Sequence, residues 1–129
     1  MPAPNSQDGP AQHAAIARAT ALSRFAQRLL AAEPHLLAST SITTPFGADE
    51  MRAILAAAPA GDEPGLARAL RGLRKQVVLR VIVRDLGGLA QLDEVVTTMS
   101  TLADVAIATA VAHLERWLAA ENGEPVGKD

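Results

Sequence analysis

The 129-residue chain contains no cysteine, which excludes disulfides, thiolate chemistry and cysteine-ligated zinc or iron–sulfur centres, and fits a reducing compartment. Tyrosine is also absent and the aromatics are limited to Phe25, Phe46 and Trp117, too few for the stacking platforms of single-strand nucleic-acid binders. There is no excess of positive charge: the formal net charge is −2 and the pI about 5.9, so no basic field favours bulk nucleic-acid binding. Long apolar runs are missing too. The longest strongly apolar stretch, Val77 to Val83, is interrupted by Arg80 and is far short of the roughly 20 residues of a spanning helix. Met1 to Gln12 lacks the basic start and apolar run of a signal peptide; with Pro2, Pro4, Gly9 and Pro10 it reads as a loose tail. These absences lead to the expectation of a cytoplasmic protein with no nucleic-acid and no membrane partner.

What remains is 49% hydrophobic and 20% charged, with mean hydropathy +0.14, a composition that folds rather than stays solvated. A chain of this length fits one domain. Leu22, Phe25, Ala26, Leu29 and Leu30 follow helical spacing until Pro34, and predict a first helix over 12–32. Thr44 with Pro45 is a plausible opening for a second, 45–58, with Asp49 and Glu50 in its early turns and Pro59 and Gly61 closing it. Asp62 reads as an N-cap and Pro64 lies in the first turn of a third helix, 62–85. Its stripe is Leu66, Leu70, Leu73, Val77 and Val81. The β-branched run from Val77 to Val83 would suit a strand, but it continues that stripe without a Gly or Pro break, and Gly87-Gly88 ends it. Two more helical segments are expected at 89–99 and 100–121, either separate or continuous with each other, the last with a stripe of Ala103, Ile107, Ala110, Val111, Leu114 and Leu118. The expectation is therefore an all-α protein, an irregular bundle of about five helices spanning 12–121, with a disordered tail at 1–11 and a linker or frayed end at 122–129.

Charge is unevenly spread. Leu66 to Arg84 carries six basic residues and no acid, whereas Asp93 to Asp129 carries seven acids against Arg116 and Lys128. Arg80 and Arg84 fall on the same side of their helix as Leu66 and Leu73, so both are expected to be partly buried, with Asp104 as the first-choice carboxylate partner and Asp93 and Glu94 behind it. Arg68, Arg71, Arg74 and Lys75 form a wet basic face that either pairs with a neighbouring helix or serves as an interaction patch.

No chemistry stands out. His13, His35 and His113 lie on separate segments without an i, i+4 histidine partner, and each reads as a solvated surface residue. Gly87-Gly88 lacks the lysine and helix opening of a phosphate loop. Ser23, Ser39, Ser41 and Ser100 have no nucleophile-elbow glycines, and the Asp93-Glu94 pair is explained by the helix dipole. The residues themselves point to a helical module with no recognisable catalytic, cofactor-binding or metal site.

Two stretches carry a resemblance. Ser23-Arg24-Phe25, Leu29-Leu30, Glu33-Pro34 and Leu36-Leu37 form the first. Arg80-Val81-Ile82-Val83-Arg84-Asp85-Leu86, Leu89-Ala90, Leu92, Glu94-Val95 and Ser100-Thr101-Leu102-Ala103-Asp104 form the second. Together they resemble the leading segment of the bifunctional glutamine synthetase adenylyltransferase and adenylyl-removing enzymes. The resemblance implies a nucleotidyltransferase that uses ATP and magnesium to attach AMP to a tyrosine of glutamine synthetase, removes it by phosphorolysis, and answers to the PII signalling protein. It further implies that this chain belongs to the adenylyl-removing half, with Arg80, Arg84, Asp85 and Asp104 as the structural part of the match. The family's aspartate-x-aspartate pair and glycine-serine motif occur nowhere in the 129 residues, so no catalytic residue transfers to it. This segment by itself is expected to be inactive and to bind no cofactor. A free-standing helical interaction module is the competing expectation.

Overall fold

A computed structural model describes residues 8–36 and 41–122. The described residues form five α-helices and no strand: α1 (Asp8–Leu22), α2 (Arg24–Ala32), α3 (Ala48–Ala57), α4 (Glu63–Leu86) and α5 (Leu92–Asn122), with a short 3-10 turn at Pro34–Leu36 after α2. The all-α expectation holds, but the chain is partitioned differently.

The helix expected over 12–32 is two. The Ser23 hydroxyl accepts from the Ala26 amide at 3.1 Å and its backbone is extended, so it caps α2 rather than continuing α1. Helix α1 begins at Asp8, inside the stretch expected to be a loose tail; residues 1–7 lie outside the described ones, as do 37–40 and 123–129. The expected opening at Thr44-Pro45 is also displaced. Helix α3 starts at Ala48 behind Gly47, which supplies no side-chain cap, while Asp49 and Glu50 do occupy its first turn. Of the two arrangements expected for 89–99 and 100–121 the continuous one is found, because Thr98, Met99 and Ser100 carry no breaker that would interrupt α5, although the helix starts at Leu92 rather than Leu89.

Helix α4 follows the reading closely. The Asp62 carboxylate accepts from the Gly65 amide at 2.8 Å, Pro64 sits in the first turn, and the helix runs through Val77–Val83 to Leu86. Gly88, at φ +80°, then reverses the chain, and the amides of Leu89 and Ala90 bond the Arg84 carbonyl.

Both hydrophobic cores share α4. On one side Leu79 and Val83 pack with Ala15 and Ala19 of α1, Ala26 and Leu29 of α2, Leu36 and Ile42. On the other, Leu73 and Val77 pack with Phe46, with Met51 and Leu55 of α3, and with Leu102 and Val105 of α5. The alanine face of α1 brings it close to α4: a Cβ built on Gly87 would meet the Val83 carbonyl and lie 2.9 Å from the Ala15 Cα.

Helix α5 departs most from expectation. Its buried residues are Thr98, Leu102 and Val105, whereas Leu92, Val96, Ile107, Val111, Leu114 and Leu118 are exposed, so most of the apolar stripe read from the sequence faces outward. All the buried residues of the helix lie in its first half. Among the described residues one helix, Leu92–Glu121 with mean hydropathy 1.6, is long and apolar enough by length and composition to cross a membrane. It lies outside the Val77–Val83 run named above as the longest strongly apolar stretch.

Candidate functional site

The charged centre of the molecule is built on α4. Each turn of this helix that faces α3 and α5 presents an apolar residue until Arg80 and Arg84, which occupy the same face one turn apart. Arg80 is 1% exposed. Its Nη1 and Nη2 donate to the two carboxylate oxygens of Glu50 at 2.8 and 2.6 Å, a bidentate fork from α4 to the first turn of α3. The guanidinium carbon also stands 3.9 Å from the centre of the Phe46 ring, which gives the buried cation a π face in place of water.

Arg84 is the second junction. Its Nε and Nη2 donate to Glu94 at 2.6 and 2.8 Å, Nη1 to the Ile42 carbonyl at 3.0 Å, and Nη2 to the Leu89 carbonyl at 3.2 Å. One side chain thereby joins α4, the connector before α3, the turn after α4 and the first turn of α5. Hydrogen bonds from Arg84 hold the Glu94 carboxyl below its usual range, against an opposing effect of burial. No buried side-chain nitrogen or oxygen among the described residues lacks a hydrogen-bond partner.

Burial of both arginines was legible in the sequence; the partners were mostly not. Asp104, the expected first choice, is exposed on α5 and lines an open cleft of about 730 Å³ between α3 and the outer half of α5, together with Arg52, Leu55, His113 and Arg116. Asp93 is exposed, and Asp85 is exposed on the far side of the α4 terminus. Glu94, named behind Asp104, is the partner of Arg84. Glu50 was read only as a helix-dipole acid, although its place in the first turn of α3 is what lets it reach Arg80.

His113 is another correction. It is half-buried rather than solvated, with Nδ1 2.9 Å from the Thr109 carbonyl and its ring edge-on to Trp117 at 5.6 Å. His13 and His35 are exposed.

The basic face divides. Lys75 donates to Glu33 at 2.7 Å, which ties α4 to the end of α2 and holds the Glu33 carboxyl below its usual range. Arg68, Arg71 and Arg74 are exposed and form no ion pair among the described residues. Arg71 and Arg74 stand between two shallow apolar surfaces, one with Phe25 and Leu29 of α2, the other with Leu70 of α4 and Met99 and Leu102 of α5.

No three histidine, aspartate or glutamate side chains lie together among the described residues in a way that would hold a metal ion. The carboxylates nearest the centre, Glu50 and Glu94, are committed to arginine.

The fold and its centre define a class: an all-α segment in which ion-paired buried arginines join successive helices. The chain belongs to the glutamate-ammonia ligase adenylyltransferase family, whose model matches residues 13–129. It is 45% identical over 119 residues to a bifunctional glutamine synthetase adenylyltransferase/adenylyl-removing enzyme of Chromobacterium violaceum, covering 90% of this chain and 13% of that protein. A protein of the same description from Nitrosomonas europaea is 42% identical over 112 residues, and one from Aromatoleum aromaticum 37% over 125 residues; they share 82% and 95% of this chain and 12% and 13% of their own lengths. The chain thus spans about an eighth of the curated relatives it matches. No solved structure matches it.

Proposed function

We propose that this chain is the non-catalytic leading helical segment of an enzyme that transfers AMP from ATP to a tyrosine of glutamine synthetase and removes it by phosphorolysis. The family match over residues 13–129, confined to about an eighth of each relative, is the observation that carries this reading. In it, the helical domain of residues 12–121 belongs to the adenylyl-removing half, and 122–129 lead toward the rest of the enzyme. ATP and magnesium are held elsewhere in the full polypeptide, glutamine synthetase and the PII protein are its partners, and the setting is the cytoplasm.

Arg80 and Arg84 act here as structural ties. Asp85 and Asp104 belong to the same sequence match but face outward, which suits contacts with other parts of the polypeptide better than support of the helical centre. The exposed apolar side chains of α5 agree with a segment that is covered in the complete enzyme. Their placement also supports protein rather than lipid as the surroundings of α5, because its first half is anchored by Glu94 and contributes Leu102 and Val105 to the core.

The test is the intact mass of the endogenous product detected with an antibody to this segment, combined with an AMP-transfer assay on that product. A protein several times heavier than 13.4 kDa that adenylylates glutamine synthetase is the expected result. An endogenous product of 13.4 kDa would overturn the reading in favour of a free-standing helical interaction module.

A further inference from the structure

Six cations lie on α4, and the described residues satisfy three of them with carboxylates: Lys75 with Glu33, Arg80 with Glu50 and Arg84 with Glu94. Three have none among the described residues: Arg68, which lies toward Ala58 and Pro59, and the pair Arg71 and Arg74. That pair borders an open groove of about 380 Å³ whose walls are Leu70 of α4 and Met99, Leu102, Ala103 and Ala106 of α5.

The small side chains Ala103 and Ala106 leave room for close approach. At about 100° per residue, the groove wall formed by Met99 and Ala103 continues into the exposed stripe of Val96, Ile107 and Leu114. A shallow apolar groove between two packed helices, edged by two guanidiniums, is a surface on which a third helix can seat its side-chain ridges.

We propose that this groove is the docking site of an amphipathic helix that brings carboxylates to Arg71 and Arg74, and that this helix belongs to the polypeptide beyond the present segment. The proposal rests on the reading of this chain as part of a longer enzyme. Charge complementarity sets the chemistry of the occupant, since the α4 cations that do have partners have already taken Glu33, Glu50 and Glu94. The source follows from length, because the relatives carry about seven-eighths of their chain outside the matched segment. A lipid surface fits less well: only two arginines edge the groove, and the chain's formal net charge is −2.

The experiment grafts this segment into the Chromobacterium violaceum relative in place of its matching residues, and follows amide hydrogen exchange at residues 70–74 and 99–106 in the hybrid and in the isolated chain. Exchange is expected to slow at least about tenfold in the hybrid, and the slowing to be lost in R71E/R74E while the isolated chain's own exchange is unchanged by that pair. A hybrid that adenylylates glutamine synthetase and gains protection equally with and without R71E/R74E overturns the groove assignment alone. An inactive hybrid without protection overturns both this assignment and the reading it rests on. Concentration-dependent dimerisation of the isolated chain that R71E/R74E abolishes would give the groove to a second copy, and binding to anionic vesicles that the same change abolishes would give it to lipid; either overturns the proposal.

Discussion

Arg80 and Glu50 are joined by two short hydrogen bonds, yet the two ends of the pair are unequally dry: the arginine side chain is 1% exposed and the glutamate side chain 43%. Removing the two partners therefore has different consequences. Glu50→Ala leaves a buried guanidinium without its counter-charge and is expected to cost about 3 kcal/mol. Arg80→Met keeps most of the side-chain volume and leaves a carboxylate that water can reach, so about 1 kcal/mol is expected. Urea unfolding of both variants checks the order; equal losses would show that the shared hydrogen bonds, and not burial of the cation, set the cost.

Arg84 and Arg71 provide a matched comparison on one helix. Arg84→Ala removes bonds to Glu94, Ile42 and Leu89 at once and is expected to lose more than about 2 kcal/mol, whereas Arg71→Ala stays within roughly half a kcal/mol. Chemical denaturation at neutral pH measures both. Small and similar losses would mean that the four bonds at Arg84 are replaced by water at little expense.

The carboxyls of Glu94 and Glu33 are both lowered, chiefly by hydrogen bonds from Arg84 and Lys75 respectively. A group that is more acidic folded than unfolded stabilises the fold above its unfolded pKa, and that stabilisation fades as pH falls through the folded value. Stability is thus expected to be level from about pH 7 to 5 and to decline below that, through the lowered carboxylate pKa values. Thermal melts from pH 7 to 3 check the sign. In Glu94→Gln the decline should be shallower, since one of the two linked groups no longer titrates.

Gly87→Ala tests the seat of α1. The added methyl would collide with the Val83 carbonyl and with Ala15, both in regular helix and unable to swing aside, so a loss of more than about 2 kcal/mol is expected. Pairing it with Ala15→Gly, which removes one of the colliding groups, is expected to restore part of the loss. An unaltered melting temperature in the single variant would contradict the close packing of α1 on the end of α4.

The sequence was most legible where one strand of logic ran uninterrupted, as in α4: the Asp62 cap, Pro64, the apolar stripe and the glycine pair all concern neighbours within a turn or two. Even the burial of Arg80 and Arg84 follows from their angular position beside Leu66 and Leu73. Their partners are another matter. Glu50 lies thirty residues from Arg80, and a first-turn glutamate already has a sufficient local explanation in the helix dipole. Ser23 was hidden because the apolar spacing of Leu22, Phe25 and Ala26 runs straight through it, although a serine three residues before a helical amide is itself a capping signal. In α5 the conspicuous stripe of Ile107, Val111, Leu114 and Leu118 faces outward, and the buried set of Thr98, Leu102 and Val105 is smaller and less apolar. Periodicity identifies the faces of a helix but not which neighbour covers each one.

Helix α5 has 31 residues and is fastened chiefly in its first half. The 17 residues beyond Val105, the last of its buried residues, extend its axis by roughly 26 Å at about 1.5 Å per residue, an arm that turns about the core contacts of Leu102 and Val105. A tilt of about one degree there carries the tip sideways by roughly 0.5 Å, and five degrees by about 2 Å. The buried contacts of Leu102 and Val105, backed by the Arg84–Glu94 junction, therefore set aim as well as stability, because they fix the direction in which the far end of α5 leaves the core.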